Sequence, residues 1–267
     1  MANDKPSVNV DVELSAKAEL KAEVPASSMG RLVDALTDAI RPFTEARGLK
    51  ADVIRLQRED VLIEIAKRAR ARLTIEGAEI HPIPIKTLVP LLEKASLENP
   101  DDDAMIERWA TLLATEASNP GENRRWYIDT LASIDSWQAQ LLETIAGAAP
   151  DRDFFRVENF TRQLAAQRFS QDVNRLSGAK NSEILRTLEL IPGYTLFFDG
   201  ENIPNTEEFE FRDFGEGPAL LHLDALGLIW VHATSFIGEH EKHFVVNAQL
   251  SPLGFQFVAL FSKEDHS

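Results

Sequence analysis

The chain has 267 residues, 44% hydrophobic and 27% charged, with thirteen glycines and thirteen prolines, a composition that suits one large globular domain or two small ones and excludes fibrous and disordered classes. The absence of cysteine removes disulfide scaffolds, thiolate metal sites and thiol nucleophiles together, and fits a reducing compartment. A formal net charge of −15 repels a polyanion wherever basic groups are not locally concentrated. No window reaches 18 apolar residues, and Met1–Pro6 lacks the charged-then-apolar pattern of a secretion signal, so a cytoplasmic protein without a transmembrane segment is expected.

From Val8 to Val24 apolar and polar residues alternate without a break, a period of two that marks a half-buried strand. The second half of this arm is rich in Ala, Glu, Leu and Lys, which favour helix, so the strand reading is firm over Val8–Leu14 only. Either the arm is loosely ordered, as termini commonly are, or it pairs with another chain, because no partner strand lies near it in sequence. On the second reading Val8, Val10, Val12, Leu14, Leu20 and Val24 are candidate self-association residues.

After Pro25 an amphipathic helix is predicted from Ser28 towards Phe43, with Leu32, Leu36, Ala39 and Ile40 on its inner stripe. A second helix runs from Gly48 to about Leu73. Its apolar positions, Leu49, Val53, Leu56, Ile63 and Ala66 among them, are interrupted by charges, so much of it is expected to be exposed. Between Arg41 and Arg72 nine basic residues face five acidic ones, and Lys67, Arg68, Arg70 and Arg72 form the densest stretch. On a helix these four spread over a broad arc. They read either as a solvated face paired with Glu59, Asp60 and Glu64 or as a binding site for RNA, lipid headgroups or an acidic patch on another subunit.

The next block is helical. Ile85, Leu88, Val89, Leu92 and Ala95 come after Pro84 at helical spacing, and Pro90 should bend rather than forbid that helix. Met105, Ile106, Trp109, Leu112 and Leu113 make a strong amphipathic stripe that Asn119-Pro120-Gly121 ends. Two shorter helices, near Arg125–Ser133 and Ser136–Ala146, bring Tyr127, Leu131, Ile134, Trp137, Leu141 and Ile145 to the same core. Leu92, Trp109, Leu112, Leu113 and Trp137 are the predicted core anchors. After Pro150-Asp151 a long helical pattern extends to about Leu176, then a short one at Ser182–Leu190.

Beyond Ile191 the texture changes to aromatics and turn residues. Asp199 to Glu216 holds seven acidic residues and one Arg, which reads as a solvated loop with a short edge strand at Phe209–Phe211. A helix carrying Leu220, Leu221, Leu223 and Leu226 is closed by Gly227. Leu228–Phe236 and His243–Leu250 then flank Gly238-Glu239-His240-Glu241 as a hairpin, and Ser251 caps a terminal helix carrying Phe257, Val258 and Phe261.

Little in the chain carries chemistry. His240 and His243, three apart in a hairpin, put their rings on opposite sides of a strand, so with His232 they read as solvated histidines and not as a metal site. Asp101-Asp102-Asp103 sits where a helix starts and complements its dipole. Ser170, Ser177 and the other hydroxyls have no nearby His and acid partner, so no nucleophile is indicated.

Pro84 to Ala117 resembles the core of the Abi-alpha (abortive infection alpha) family of bacterial proteins. Its members carry a proline-led helix with a Leu-Leu-Glu-x-Ala-Ser-Leu-Glu string, an acidic break and a Trp-Ala-x-Leu-Leu-Ala helix. Here the strings are Leu91–Glu98 and Trp109–Ala114. Trp126–Leu142, Leu226–Ile229 and Leu250–Phe255 are similar to the C-terminal part of that family's pattern. The likeness covers about Gly30 to Phe261; the Asp151–Ile191 helical stretch, the acidic loop and the arm have no counterpart. The resemblance implies a role in resisting phage infection and no established chemistry.

Leu223–Ile229 and Leu250–Phe255 also resemble the back half of a winged-helix domain, with Ser136–Ala146 as its first helix across an insertion. Reading DNA needs basic residues on the groove helix and the wing. Gly215–Gly227 has no Lys or Arg, and Lys242 is alone in the wing turn beside Glu239 and Glu241. That unit therefore reads as structural or protein-binding.

The expected fold is mainly α, with a helical N-terminal and central region, a small α+β winged-helix-like C-terminal unit and a β-like N-terminal arm. The segments are the arm over 1–27, the Abi-alpha-like core over 28–148, and a helical insertion plus the C-terminal unit over 149–267. The expected function is a non-enzymatic component of an antiphage system without cofactors, working as a homo-oligomer or with a partner protein of the same system. The alternative is a nucleic-acid-associated regulator using the winged-helix-like unit and the basic helix over 67–72.

Overall fold

The computed structural model describes residues 49–120, 124–148, 161–198 and 215–261. Among the described residues it holds nine helices and one three-stranded antiparallel sheet, a mainly α fold with a small α+β unit. The predicted arm over Val8–Val24, the helix over Ser28–Phe43 and the edge strand over Phe209–Phe211 lie outside the described residues.

Helix α1 (Leu49–Glu76) buries Val61, Leu62, Ile65, Ala66, Ala69 and Leu73. These fall on one face at helical spacing. Leu56 and Ile63 lie elsewhere and are 58% and 38% exposed. Leu56 and Ile65 are nine residues apart, half a turn at about 100° per residue, so a helix that packs one face must expose the other. The face with the small residues Ala66 and Ala69 is the one that meets the body.

Helix α2 (Ile85–Ala95) starts after Pro84 and continues through Pro90, burying Leu91, Leu92 and Ala95. Helix α3 (Asp103–Ser118) is the centre of the body, with Met105, Ile106, Trp109, Leu112 and Leu113 each at most 2% exposed. Its N-terminus is closed by Asp102, whose carboxylate accepts from Met105 N–H at 3.0 Å and from the Ser136 hydroxyl at 3.0 Å. Helices α4 (Arg124–Leu131) and α5 (Ser136–Gly147) come next, the latter opened by a reciprocal capping box between Asp135 and Gln138.

Trp137 is 47% exposed, against the expectation that it anchors the core. Its spacing to Leu141 and Ile145 is helical, and both of those are buried. Trp137 sits in the first turn of α5, however, and helical side chains lean towards the N-terminus, so its ring overhangs the end of the body.

Helices α6 (Arg162–Asn174) and α7 (Asn181–Leu188) precede strand β1 (Tyr194–Phe198). Thr161 caps α6 by accepting from Leu164 N–H at 3.3 Å. Then come α8 (Gly217–Ala225), β2 (Ile229–Ile237), β3 (Lys242–Leu250) and α9 (Pro252–Phe261). Gly227 ends α8 at a φ of 74°, the left-handed conformation that favours glycine.

The strand order is β1-β3-β2, all antiparallel, with Tyr194 opposite Ala248 and Val231 opposite Ala248 from the other side. One face of the sheet, carrying Ile229, Ala248 and Leu250, joins the main core around α3; the other, carrying Phe236 and Val245, packs against Phe169 and Val173 of α6 and Ile184 and Leu188 of α7. The sheet is thus covered on both sides, by unequal layers.

Candidate functional site

Half of the basic run of α1 is neutralised within the molecule by α3. Arg68 donates to Asp103 Oδ1 at 2.7 Å and to Glu64 Oε1 at 2.9 Å, and Arg72 donates to Glu107 Oε1 at 2.8 Å. The pairs step by four residues on both helices, so α1 and α3 run side by side in the same direction. Lys67 approaches Glu64 at 3.8 Å and is 67% exposed. Arg70 is exposed and has no ion pair among the described residues. Of the four candidate anion-binding residues, two are thus committed to α3 and two face solvent. Sequence reading found Glu64 as a partner but not Asp103 or Glu107, because those contacts depend on how α1 docks.

Trp109 is fully buried and donates its indole N–H to Glu98 Oε2 at 2.9 Å. Glu98 closes the Leu91–Glu98 string and Trp109 opens the Trp109–Ala114 string, so this one bond ties the two together. The indole N–H of a buried tryptophan needs an acceptor. A carboxylate at that point supplies it.

At the other end of α3 lies a group that sequence reading missed. The Glu116 side chain is 1% exposed, and Arg124 Nε stands 2.8 Å from its Oε1 without the alignment of a hydrogen bond. Burial pushes the Glu116 carboxyl up to about 7, and the charge of Arg124 only partly opposes that rise. Arg124 is itself held by the Asn119 carbonyl at 3.1 Å and lies over the Tyr127 ring at 5.7 Å from its centroid. Glu116 follows Trp109 by seven residues and Leu112 by four, so helical spacing puts it on the buried face of α3; its charge is what kept it out of the predicted core.

This raised pKa gives the stability a pH dependence of definite sign. The folded chain holds the Glu116 proton more tightly than the unfolded chain, whose carboxyl titrates near 4.5, so stability is lost as pH rises from about 4.5 to about 7. Glu116→Gln is expected to remove this dependence. The stability of the variant relative to the parent should climb by about 3 kcal/mol between pH 5 and pH 8. Urea unfolding of both proteins at several pH values checks it, and parallel profiles would refute it.

The histidines also depart from expectation. His240 is solvated, with an 85% exposed side chain, but His243 is fully buried and His232 is 9% exposed. In the register Phe236 faces His243 and Asn247 faces His232, so the two buried rings share one sheet face, the one under α6 and α7. Among the described residues neither ring nitrogen of His243 has a hydrogen-bond partner; the ring lies between Phe197 and Phe236, each 5.2 Å away. His232 stacks on Phe169, and burial, reinforced by the nearby Arg162 charge and opposed by Asp224, holds its pKa below the usual range of a histidine. Replacing a donor and acceptor that are both unsatisfied by an apolar group of similar size costs nothing in hydrogen bonds. His243→Leu is therefore expected to leave stability unchanged or raise it by about 1 kcal/mol, read as the urea midpoint; a large loss would show that the imidazole makes a bond the packing does not reveal.

The acidic run at the start of α3 is used structurally: Asp102 caps, and Asp103 pairs with Arg68. Among the described residues no group of three or more His, Asp or Glu side chains is placed to hold a metal ion, and no helix is long and apolar enough to cross a membrane.

A family model described as abortive infection alpha matches residues 57–260, a span that runs from the third turn of α1 to the last turn of α9. No curated protein and no solved structure matches the chain.

Proposed function

The chain belongs to the abortive infection alpha family, and from that premise we propose that it is a non-enzymatic component of an antiphage system, acting through self-assembly or through a protein partner of the same system. The observation that carries this reading is the extent of the family match, which takes in most of α1, all of α2 to α8, the sheet and nearly all of α9. The pairings of the charged side chains support it. Arg68, Arg72, Asp102, Asp103, Glu98 and Asp224 are engaged in holding elements together. The residues proposed for self-assembly are Val8, Val10, Val12, Leu14, Leu20 and Val24. No observation favours the nucleic-acid reading over this one: α8 carries no Lys or Arg, and half of the basic run on α1 is paired with α3.

Efficiency-of-plating assays test the proposal. Cells expressing the chain, alone and with the genes that neighbour it, should plate a panel of phages less efficiently than cells expressing the Trp109→Ala variant. Equal plating across the panel in both settings would overturn the defence role. Sedimentation of the full chain against a chain starting at Pro25, at matched concentration and salt, tests self-assembly through the arm, and equal masses would refute it.

A further inference from the structure

The sheet has two lateral edges, and they are treated differently. On β2, Val231 N–H points outward and is taken by Asp224 Oδ1 at 3.1 Å, while the Ile237 carbonyl accepts from Gly178 N–H at 2.9 Å. The outer edge of β2 is thus blocked at both ends, by α8 and by the α6–α7 turn. Blocking of this kind keeps a sheet from pairing with other chains.

The direction of those two groups also fixes the geometry of β1. In an antiparallel pair a residue turns both backbone groups either towards its partner strand or away from it. Val231 and Ile237 turn theirs away from β3, and so do the residues between them at every second position. Their opposites Ala248, Val246 and Phe244 therefore turn towards β1 and bond Tyr194, Leu196 and Phe198. Thr195 and Phe197 must then present N–H and C=O outward, and among the described residues nothing pairs with those backbone groups.

We infer that the outer edge of β1 is the receiving edge for the segment Val8–Leu14 of a second copy of this chain, which adds there as a fourth strand. This rests on the proposed self-assembly and specifies its surface. Three observations support it. The segment alternates apolar Val8, Val10, Val12 and Leu14 with polar Asn9, Asp11 and Glu13, the pattern of a strand with one covered face, and no strand adjacent in sequence is there to receive it. Tyr194, Leu196 and Phe198 form an apolar row on the body side of β1 that such a strand would extend. Finally, α1 packs mainly on α2 and α3, not on the sheet. The 24 residues between Val24 and Leu49, with the helix predicted over Ser28–Phe43 among them, span up to about 50 Å, so an arm leaving the start of α1 has the reach to meet a neighbouring copy.

The lack of cysteine makes the test clean. One protein carries a cysteine at one of positions 8 to 14, a second carries Thr195→Cys under a different tag, and the two are mixed and oxidised. Disulfide-linked heterodimers at alternate arm positions are expected. Thr195→Pro, which removes an outward N–H and leaves the ladder bonds of β1 intact, should give a folded chain with the mass of the arm-deleted one. If the full chain sediments as an arm-dependent oligomer while no arm position crosslinks to position 195, the β1 edge is wrong and self-assembly stands. If a chain carrying both cysteines closes an internal disulfide while the mixed single-cysteine chains form no heterodimer, the second-copy donor is wrong. Equal masses with and without the arm would overturn the self-assembly on which the inference rests.

Discussion

Trp109→Ala lowers the stability of the fold by about 3–5 kcal/mol, the range for removing a large buried aromatic. For a chain of this size that corresponds to a fall in Tm of roughly 10 °C. Trp109 is fully buried on α3, the helix that α1, α2 and α9 all pack against. The substitution leaves a cavity at the centre of the body and deprives the Glu98 carboxylate of its indole donor. Trp109→Phe separates the two losses, because it keeps most of the volume and loses the bond; it should cost about 1–2 kcal/mol. Thermal melts of the purified variants check both values. An alanine variant melting within a degree or two of the parent would overturn the central place given to this residue.

Gly254→Ala is expected to be as damaging, by more than about 3 kcal/mol, although it adds only one methyl group. A Cβ built on Gly254 would fall well inside the contact distance of the Leu228 carbonyl oxygen. The neighbour is backbone, which cannot rotate out of the way. The close approach exists because Ser251 stitches three elements together. Its hydroxyl donates to the Gly227 carbonyl and accepts from Gly254 N–H at 2.9 Å, while its own N–H donates to Leu228 O at 3.0 Å. The first turn of α9 is thereby pressed onto the link between α8 and β2. Soluble expression and the urea midpoint of Gly254→Ala, set against Gly147→Ala, where a Cβ meets nothing within 4 Å, measure the effect of the contact itself.

The elements that sequence could locate are those whose burial follows a period. The stripe through Met105, Trp109 and Leu113, the helix closed by Gly227, the hairpin around Gly238 and the cap at Ser251 all announce themselves in spacing or in turn chemistry. Strand β1 did not. Tyr194-Thr195-Leu196-Phe197-Phe198 is half-buried at every position, so it shows no alternation, and only its aromatic and β-branched content marks it. Trp137 misled because periodicity assigns a face and ignores where the helix ends. The side chains that matter most for electrostatics were the least legible. His243 owes its burial to the α6–α7 layer, far away in sequence, and Glu116 lies on the buried stripe of α3, where a charged residue is not expected. The partners of Arg68 and Arg72 required knowing that α1 and α3 run in the same direction.

Two layers of unequal size share one sheet, and this sets a hierarchy of opening. The cluster between the sheet and α6–α7 holds eight buried residues, while that of the body extends from Val61 to Phe257. Separating α6 and α7 from the sheet exposes far less apolar surface than unfolding the body does, so that layer forms a sub-global unit with its own, lower free energy of opening. Strand β3 belongs to both units, bonded on each side and covered on each face. Its amides can exchange with solvent only when the whole chain unfolds, which makes β3 the natural reporter of global stability and α6–α7 the reporter of partial opening.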